Sequence, residues 1–129
     1  MKKLEQIPFI SIVIPTTGNV PFIKGLVESV SKLNYPKEKF ELILIGDKET
    51  KLLKKNVERS EKYGINTTLK YEPYAAGKKR NIGVELAKGE IIAFTDDDTI
   101  LKEDWLNNAV KHLDENSNYV GVGGPNFTP

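Results

Sequence analysis

Short β-forming runs alternate with segments of helical periodicity along this chain, and that alternation constrains its fold more than any other feature. Ile10 to Ile14 (ISIVI) is a β-branched run closed by Pro15. Thr16 to Asn19 reads as a turn, and Pro21 stands near the start of a helical pattern, where its missing N–H costs nothing. Phe22, Ile23, Leu26, Val27, Val30 and Leu33 follow at helical spacing, and Asn34-Tyr35-Pro36 ends that helix. Phe40 to Ile45 (FELILI) predicts a second strand closed by Gly46-Asp47. Glu49 to Tyr63 carries a narrow apolar set, Leu52, Leu53 and Val57, and predicts a surface helix ending at Gly64. Asn66 to Tyr71 is a third strand, and Lys79 to Ala87 a helix with Ile82, Val84 and Leu86 available for packing, ended by Lys88-Gly89. Glu90 to Thr95 is the fourth strand, Glu103 to Leu113 a helix, and Tyr119 to Val122 a fifth strand followed by Gly123-Gly124-Pro125. Strict alternation implies an α/β fold, a doubly wound and mostly parallel sheet with helices on both faces.

The fourth run, Ile91-Ile92-Ala93-Phe94, stops abruptly at three acids, Asp96, Asp97 and Asp98. Such a pattern describes a buried strand that delivers carboxylates to a sheet edge. Side chains alternate faces along such a strand, so Asp96 and Asp98 point one way and Asp97 the other. Two ionised carboxylates at that spacing repel by roughly 2–3 kcal/mol at an effective dielectric of about 20. A cation between them removes that cost, and hard oxygen ligands suit magnesium or manganese, which bind one or two carboxylates plus substrate phosphates. The alternative is a loop of three solvated aspartates.

Doubly wound sheets bind ligands at the carboxyl ends of their strands. Four features fall at such ends: Pro15-Thr16-Thr17, Asp47, the loop from Tyr74 through Gly77, Lys78, Lys79 and Arg80 to Asn81, and the aspartate triplet. Lys78, Lys79 and Arg80 open a helix, where the macrodipole disfavours cations by a few tenths to about 1 kcal/mol each. Exposed helix-start N–H groups, Gly77 for close approach and an arginine fork together describe an anion site. The bland alternative is a solvated charge run. Asp47 reads either as a turn residue after Gly46 or as a carboxylate accepting hydrogen bonds from a nucleobase or ribose. No G-x-G-x-x-G follows the first strand, which argues against a dinucleotide cofactor.

Composition narrows the classes. The 129 residues suffice for one domain with a core. A net charge of +1 gives no global field toward nucleic acid, so no nucleic-acid partner is expected. The absence of cysteine excludes disulfides and thiolate metal sites and fits a reducing cytoplasm. No apolar run approaches a membrane span, so the expected location is cytoplasmic, either free or at the cytoplasmic face of a membrane. His112, the single histidine, reads as a surface or core residue. Trp105 and Leu106 read as packing, as do Tyr71 and Tyr74.

The segments ISIVIPTTGN, FELILIGDKET, AAGKKRNIGVELAKGEIIAFTDDDT, Asp104-Trp105-Leu106 and GVGGPN carry a resemblance. Together they resemble the N-terminal, nucleotide-sugar-binding half of a family 2 inverting glycosyltransferase with the GT-A fold. The resemblance implies transfer of a sugar from a UDP- or GDP-linked donor to a saccharide, lipid or protein acceptor, with Mg2+ or Mn2+ as cofactor. It implies that Pro15, Thr16, Asp47, Gly77, Lys78, Arg80, Asp96 and Asp97 line the nucleotide-sugar site, with Asp47 at the base and Arg80 at the nucleotide or its phosphates. Asp98 is then the foremost metal ligand, with Asp96 beside it and nearer the ribose, while Asp97 fills a variable place in the D-x-D pattern. The second strand departs from the family's two acids followed by Gly-Ser: only Asp47 is present. Family members usually continue into an acceptor-binding half carrying the general base, so a fragment is expected, and no residue here reads as that base. Among other classes, a dehalogenase-type phosphatase fits Asp96-x-Asp98 loosely but has Ile100 in place of Thr or Val. A receiver domain wants its acids after the first strand. A non-catalytic nucleotide-binding or interaction module is the alternative that keeps the fold.

Overall fold

A computed structural model of the chain describes residues 7–17, 21–73 and 75–115. The elements are β1 (Ile10–Pro15), α1 (Ile23–Ser31), a single 3-10 turn (Lys37–Lys39), β2 (Phe40–Gly46), α2 (Lys51–Lys62), β3 (Asn66–Tyr71), α3 (Ala76–Leu86), β4 (Ile91–Phe94) and α4 (Trp105–Glu115). The expected fifth strand, Tyr119–Val122, lies outside the described residues.

The four strands form one sheet in the order β3-β2-β1-β4, with every pairing parallel. The chain steps outward from β1 through β2 to β3 and then returns to the other side of β1. The switch point of the winding therefore lies between β1 and β4. β1 and β2 are buried along their whole length, as central parallel strands covered on both faces must be. Strand alternation sorts their side chains. Ile10, Ile12, Ile14, Leu42 and Leu44 meet Leu26 of α1, Leu53 of α2 and Leu106 of α4 on one face. Val13, Ile43 and Ile45 meet Ile82 of α3 on the other. Each fully buried aliphatic side chain of this set contributes about 1.5–3 kcal/mol.

Local signals set the helix ends. Thr50 caps α2, its hydroxyl oxygen accepting from the Leu53 N–H at 3.1 Å. α2 runs out at Gly64, whose φ of +83° is the left-handed conformation that glycine adopts without steric cost. Gly83 has a different reason. A Cβ there would lie 2.3 Å from Cγ1 of Val13, so its missing side chain lets α3 press against β1.

Several expectations change. Pro21 sits in the turn before α1, and Phe22 is exposed instead of joining the core face. α3 begins at Ala76, three residues ahead of the expected start, so Gly77 through Asn81 are helical and not loop. Ala, Lys and Arg are good helix formers, and a single glycine costs only about 1 kcal/mol. On that helix Val84 and Leu86 face solvent, because the sheet-facing stripe passes through Lys79 and Gly83. β4 is a half-buried edge strand of the described sheet, with Phe94 43% exposed, since only β1 flanks it there.

At the amino ends of the strands a carboxylate is locked inside the protein. Glu41 Oε2 accepts from the Ser11 hydroxyl at 2.6 Å and from the Lys88 N–H at 2.8 Å. The Gly89 N–H in turn donates to the Ser11 oxygen at 2.8 Å. This network ties the turn between α3 and β4 to the centre of the sheet.

Candidate functional site

The opposite rim, at the carboxyl ends of the strands, collects the charged side chains. β1 ends in buried Pro15, and the Thr16 N–H continues the ladder to the Ile45 carbonyl at 2.9 Å. The Thr16 hydroxyl hydrogen-bonds the carboxyl group of Asp97, across the switch point from β1 to the turn after β4. Burial above all pushes the Asp97 carboxyl up from its ordinary value. The Thr16 hydrogen bond opposes that rise, and the charges of Asp98 and Asp96 reinforce it.

The three acids are not strand residues. β4 ends at Phe94, the Thr95 N–H bonds the Val13 carbonyl at 3.3 Å, and the chain then turns, with the Thr99 N–H reaching the Asp96 carbonyl at 3.4 Å. Strand alternation therefore does not decide where the acids point. Asp96 is exposed, while Asp97 and Asp98 are half-buried. Directly before them, the Thr95 Oγ1 is buried with no hydrogen-bond partner among the described residues.

α3 supplies the cations. Its first turn has no side-chain cap and no acid, so its leading N–H groups face the rim with positive partial charge. Gly77 is exposed, and a Cβ added there meets nothing within 4 Å, so protein packing does not demand glycine at that position. Lys78 lies on the exposed side of the same turn. Arg80 reaches across to Asp96, Nη2 to Oδ1 at 3.5 Å, and joins the basic run to the acidic one.

Lys79 is the residue the sequence reading missed. It counted there as one more member of a basic run, yet it is only 5% exposed and its amino group is ion-paired with Oδ1 of Asp47. The available signal was its spacing. Lys79 stands one helical turn before Gly83, on the stripe that faces the sheet. Tyr71, read as packing, is 36% exposed at the end of β3, and Tyr74 lies outside the described residues. His112 is exposed on α4, away from the rim in the fold order.

The rim thus brings together Pro15, Thr16, Asp47, Lys79, Arg80 and the three acids from four separate stretches of sequence. Among the described residues no cluster of three or more His, Asp or Glu side chains is placed to hold a cation. Two carboxylates are what magnesium or manganese takes from protein when phosphate oxygens complete the shell, so Asp96 and Asp98 fit that chemistry. No described helix is long and apolar enough to cross a membrane.

Comparison with known proteins points the same way. The sequence profile described as "Glycosyl transferase family 2" matches residues 11–127. The poly(ribitol-phosphate) beta-N-acetylglucosaminyltransferase TarS of Staphylococcus aureus is 29% identical over 115 residues, which cover 85% of this chain and 20% of TarS. Glycosyltransferase AglE of Haloferax volcanii is 28% identical over 127 residues, covering 96% of this chain and 41% of AglE. This chain therefore spans about a fifth of the length of TarS and about two fifths of AglE. Among solved structures, residues 1–349 of TarS in complex with UDP superpose with a TM-score of 0.74 at 27% identity, covering 84% of this chain and 33% of that one. The mannosyltransferase PcManGT of Pyrobaculum calidifontis, in complex with GDP-Man and Mn2+, gives 0.72 at 28% identity, covering 82% and 32%.

Proposed function

This chain belongs to glycosyl transferase family 2, and from that premise we propose that its charged rim binds the nucleoside diphosphate of a sugar donor for transfer to an acceptor. The observation that carries the reading is the convergence of Thr16, Asp47, Arg80 and Asp96–Asp98 at a β1–β4 switch point, held together by the Thr16–Asp97 and Arg80–Asp96 contacts. Solubility alone does not call for that arrangement. The UDP and GDP-Man complexes of the structural neighbours support a nucleotide-diphosphate sugar as ligand, and the Mn2+ of one of them supports a divalent cation.

In this reading the acceptor hydroxyl attacks the anomeric carbon from the side opposite the diphosphate, with inversion. Negative charge then grows on the departing diphosphate. Arg80, Lys78 and the N–H groups opening α3 would bind those oxygens and stabilise that charge, usually the largest single contribution to such catalysis. Asp98 and Asp96 would hold Mg2+ or Mn2+, which supplies Lewis-acid stabilisation of the same charge when bound. Thr16 orients Asp97 beside that pair, and Asp47 receives the base. None of the described residues is assigned as the general base.

Calorimetric titration of UDP and GDP, with manganese and with chelator, tests this reading. Metal-dependent binding in the micromolar range, about −8 kcal/mol, is the expected result for at least one nucleotide. Its loss in Asp98→Asn, with an unchanged circular dichroism spectrum, would place the cation at that acid. A folded chain that binds neither nucleotide would overturn the donor-site reading. Binding without sugar transfer to any acceptor would favour a nucleotide-binding module.

A further inference from the structure

Lys79 is costly where it stands. A lysine that is 5% exposed gives up hydration worth several kcal/mol, and an ion pair seldom returns more than that. The face of α3 that carries it packs on Val13, Ile43 and Ile45, where an aliphatic side chain would serve the core as well or better. The fold therefore does not require a lysine at this position. Its amino group goes to the one carboxylate at the carboxyl end of β2, Asp47, whose side chain remains 39% exposed while that of Lys79 is 7% exposed. The pair presents a buried donor behind a carboxylate that opens onto the rim.

We infer that Lys79 is a specificity-determining residue that makes the Asp47 pocket select an imide base, the uracil type, in the nucleotide donor. The inference rests on the donor-site reading above and deepens it. Lys79 donates to Oδ1 and competes for it, so Oδ2 is the better acceptor left to an incoming base, and it is flanked by an ammonium group with further N–H donors. The ring N–H of uracil can donate to Oδ2, and a carbonyl stands on each side of that N–H. Whichever way the base enters, an acceptor faces Lys79. Guanine has a carbonyl on one side of its ring N–H and an amino group on the other. It would normally use both oxygens of one carboxylate, and for one of them its amino group must compete with Lys79. Cytosine and adenine present an unprotonated ring nitrogen and must shift sideways to bring an amino group to Oδ2. Leaving a buried donor or acceptor unmatched is what makes such discrimination large.

The test is a competition series on the whole chain in manganese, using UDP, dTDP, GDP, CDP, ADP and UDP methylated at N3. UDP and dTDP are expected to bind at least tenfold more tightly than GDP, CDP and ADP, and N3-methylation is expected to cost UDP at least tenfold. Lys79→Met, which keeps an unbranched stem in the same space, is expected to remain folded and to compress the UDP-to-GDP ratio to less than threefold. Lys79→Gln, which retains a donor, is expected to restore part of that ratio. A wild-type ratio below threefold overturns the inference and leaves the donor site standing. So does a ratio that Lys79→Met and Lys79→Gln both leave unchanged. If no nucleotide binds at all, the donor-site reading falls and this inference falls with it.

Discussion

β2 carries a carboxylate at each end, and the two are handled in opposite ways. Glu41, at its start, is 3% exposed and accepts from the Ser11 hydroxyl and from the Lys88 backbone N–H. Asp47, just past its end, keeps 39% of its side chain open and is met by a single buried lysine. The first acid is enclosed by the fold's own donors, and the Gly89 N–H closes the same network on Ser11. The second stays partly open to solvent. An acid whose partners come from its own chain's backbone is structural, and an acid left half open with a cation behind it is available to a ligand. The amino rim of the sheet is thus tied into the fold, while the carboxyl rim keeps charged side chains open to solvent.

Substitutions can break that comparison. The largest stability loss is expected from Glu41→Ala, which strips the acceptor from one buried and one part-buried donor and should cost about 3 kcal/mol. Urea denaturation would measure it, and the nucleotide affinity of the folded fraction should not change. A loss below about 1 kcal/mol would show the amino rim to be as tolerant as the carboxyl rim.

Tyr35 gives an alkaline test of the same stable half of the molecule. Its buried hydroxyl donates to the Pro8 carbonyl, and burial, followed by the nearby charge of Glu90, pushes its pKa from 10.0 up to about 12. The folded state thus favours the neutral phenol. Its contribution is complete below pH 10 and is lost as pH rises from 10 through 12, a change on the order of 2–3 kcal/mol. Denaturation followed across that window should show the loss, and Tyr35→Phe should flatten it.

Gly83→Ala links the two rims. The helix gains about 1 kcal/mol from alanine. The new Cβ falls 2.3 Å from Val13 Cγ1, however, and forcing α3 off β1 costs up to about 3 kcal/mol. A net loss of about 1–2 kcal/mol is expected in melting experiments, and because α3 carries Lys79 and Arg80, nucleotide affinity should fall as well. Unchanged binding in this variant would separate the rim from the packing beneath it.

The smallest stability effect belongs to Arg80→Ala. Its ion pair with Asp96 spans 3.5 Å between side chains that are 40% and 64% exposed, so the change in stability should stay within about 0.5 kcal/mol. Nucleotide affinity should fall at least tenfold, or about 1.4 kcal/mol. A variant that binds as well as the parent would remove Arg80 from the site.

Much of the scaffold was legible before any coordinates. ISIVI and FELILI are largely apolar runs rich in strand-forming residues and became the two buried central strands, and Gly64 ended α2 where a left-handed residue was needed. Asn66–Tyr71 matched its expected bounds. The strand ends bearing Thr16, Asp47 and the acids did gather on one rim, because parallel winding leaves them no other side. Errors arose where periodicity is weak. α3 starts earlier than expected because Gly77 was assigned to the loop before it as a point of close approach, and Val84 and Leu86 were misassigned because a helix of low amphipathicity does not announce its buried face. The three acids, expected to alternate as strand residues, lie in a turn because β4 stops at Phe94, and Asp97 is the one that Thr16 holds.

The sequence by itself determined the α/β class, the order of the elements and the rim on which the charged residues stand. These follow from hydrophobic period and from the geometry of parallel crossovers, both of which are local or topological. Only the tertiary structure decided which charges meet. Lys79 and Asp47 are separated by 32 positions, and Arg80 meets Asp96 from another element. Within the run Lys78-Lys79-Arg80, the spacing to Gly83 marks Lys79 as the inward one but does not record its partner. That choice was made by the packing of α3 on β1, where Gly83 lets the helix come close enough to bury it.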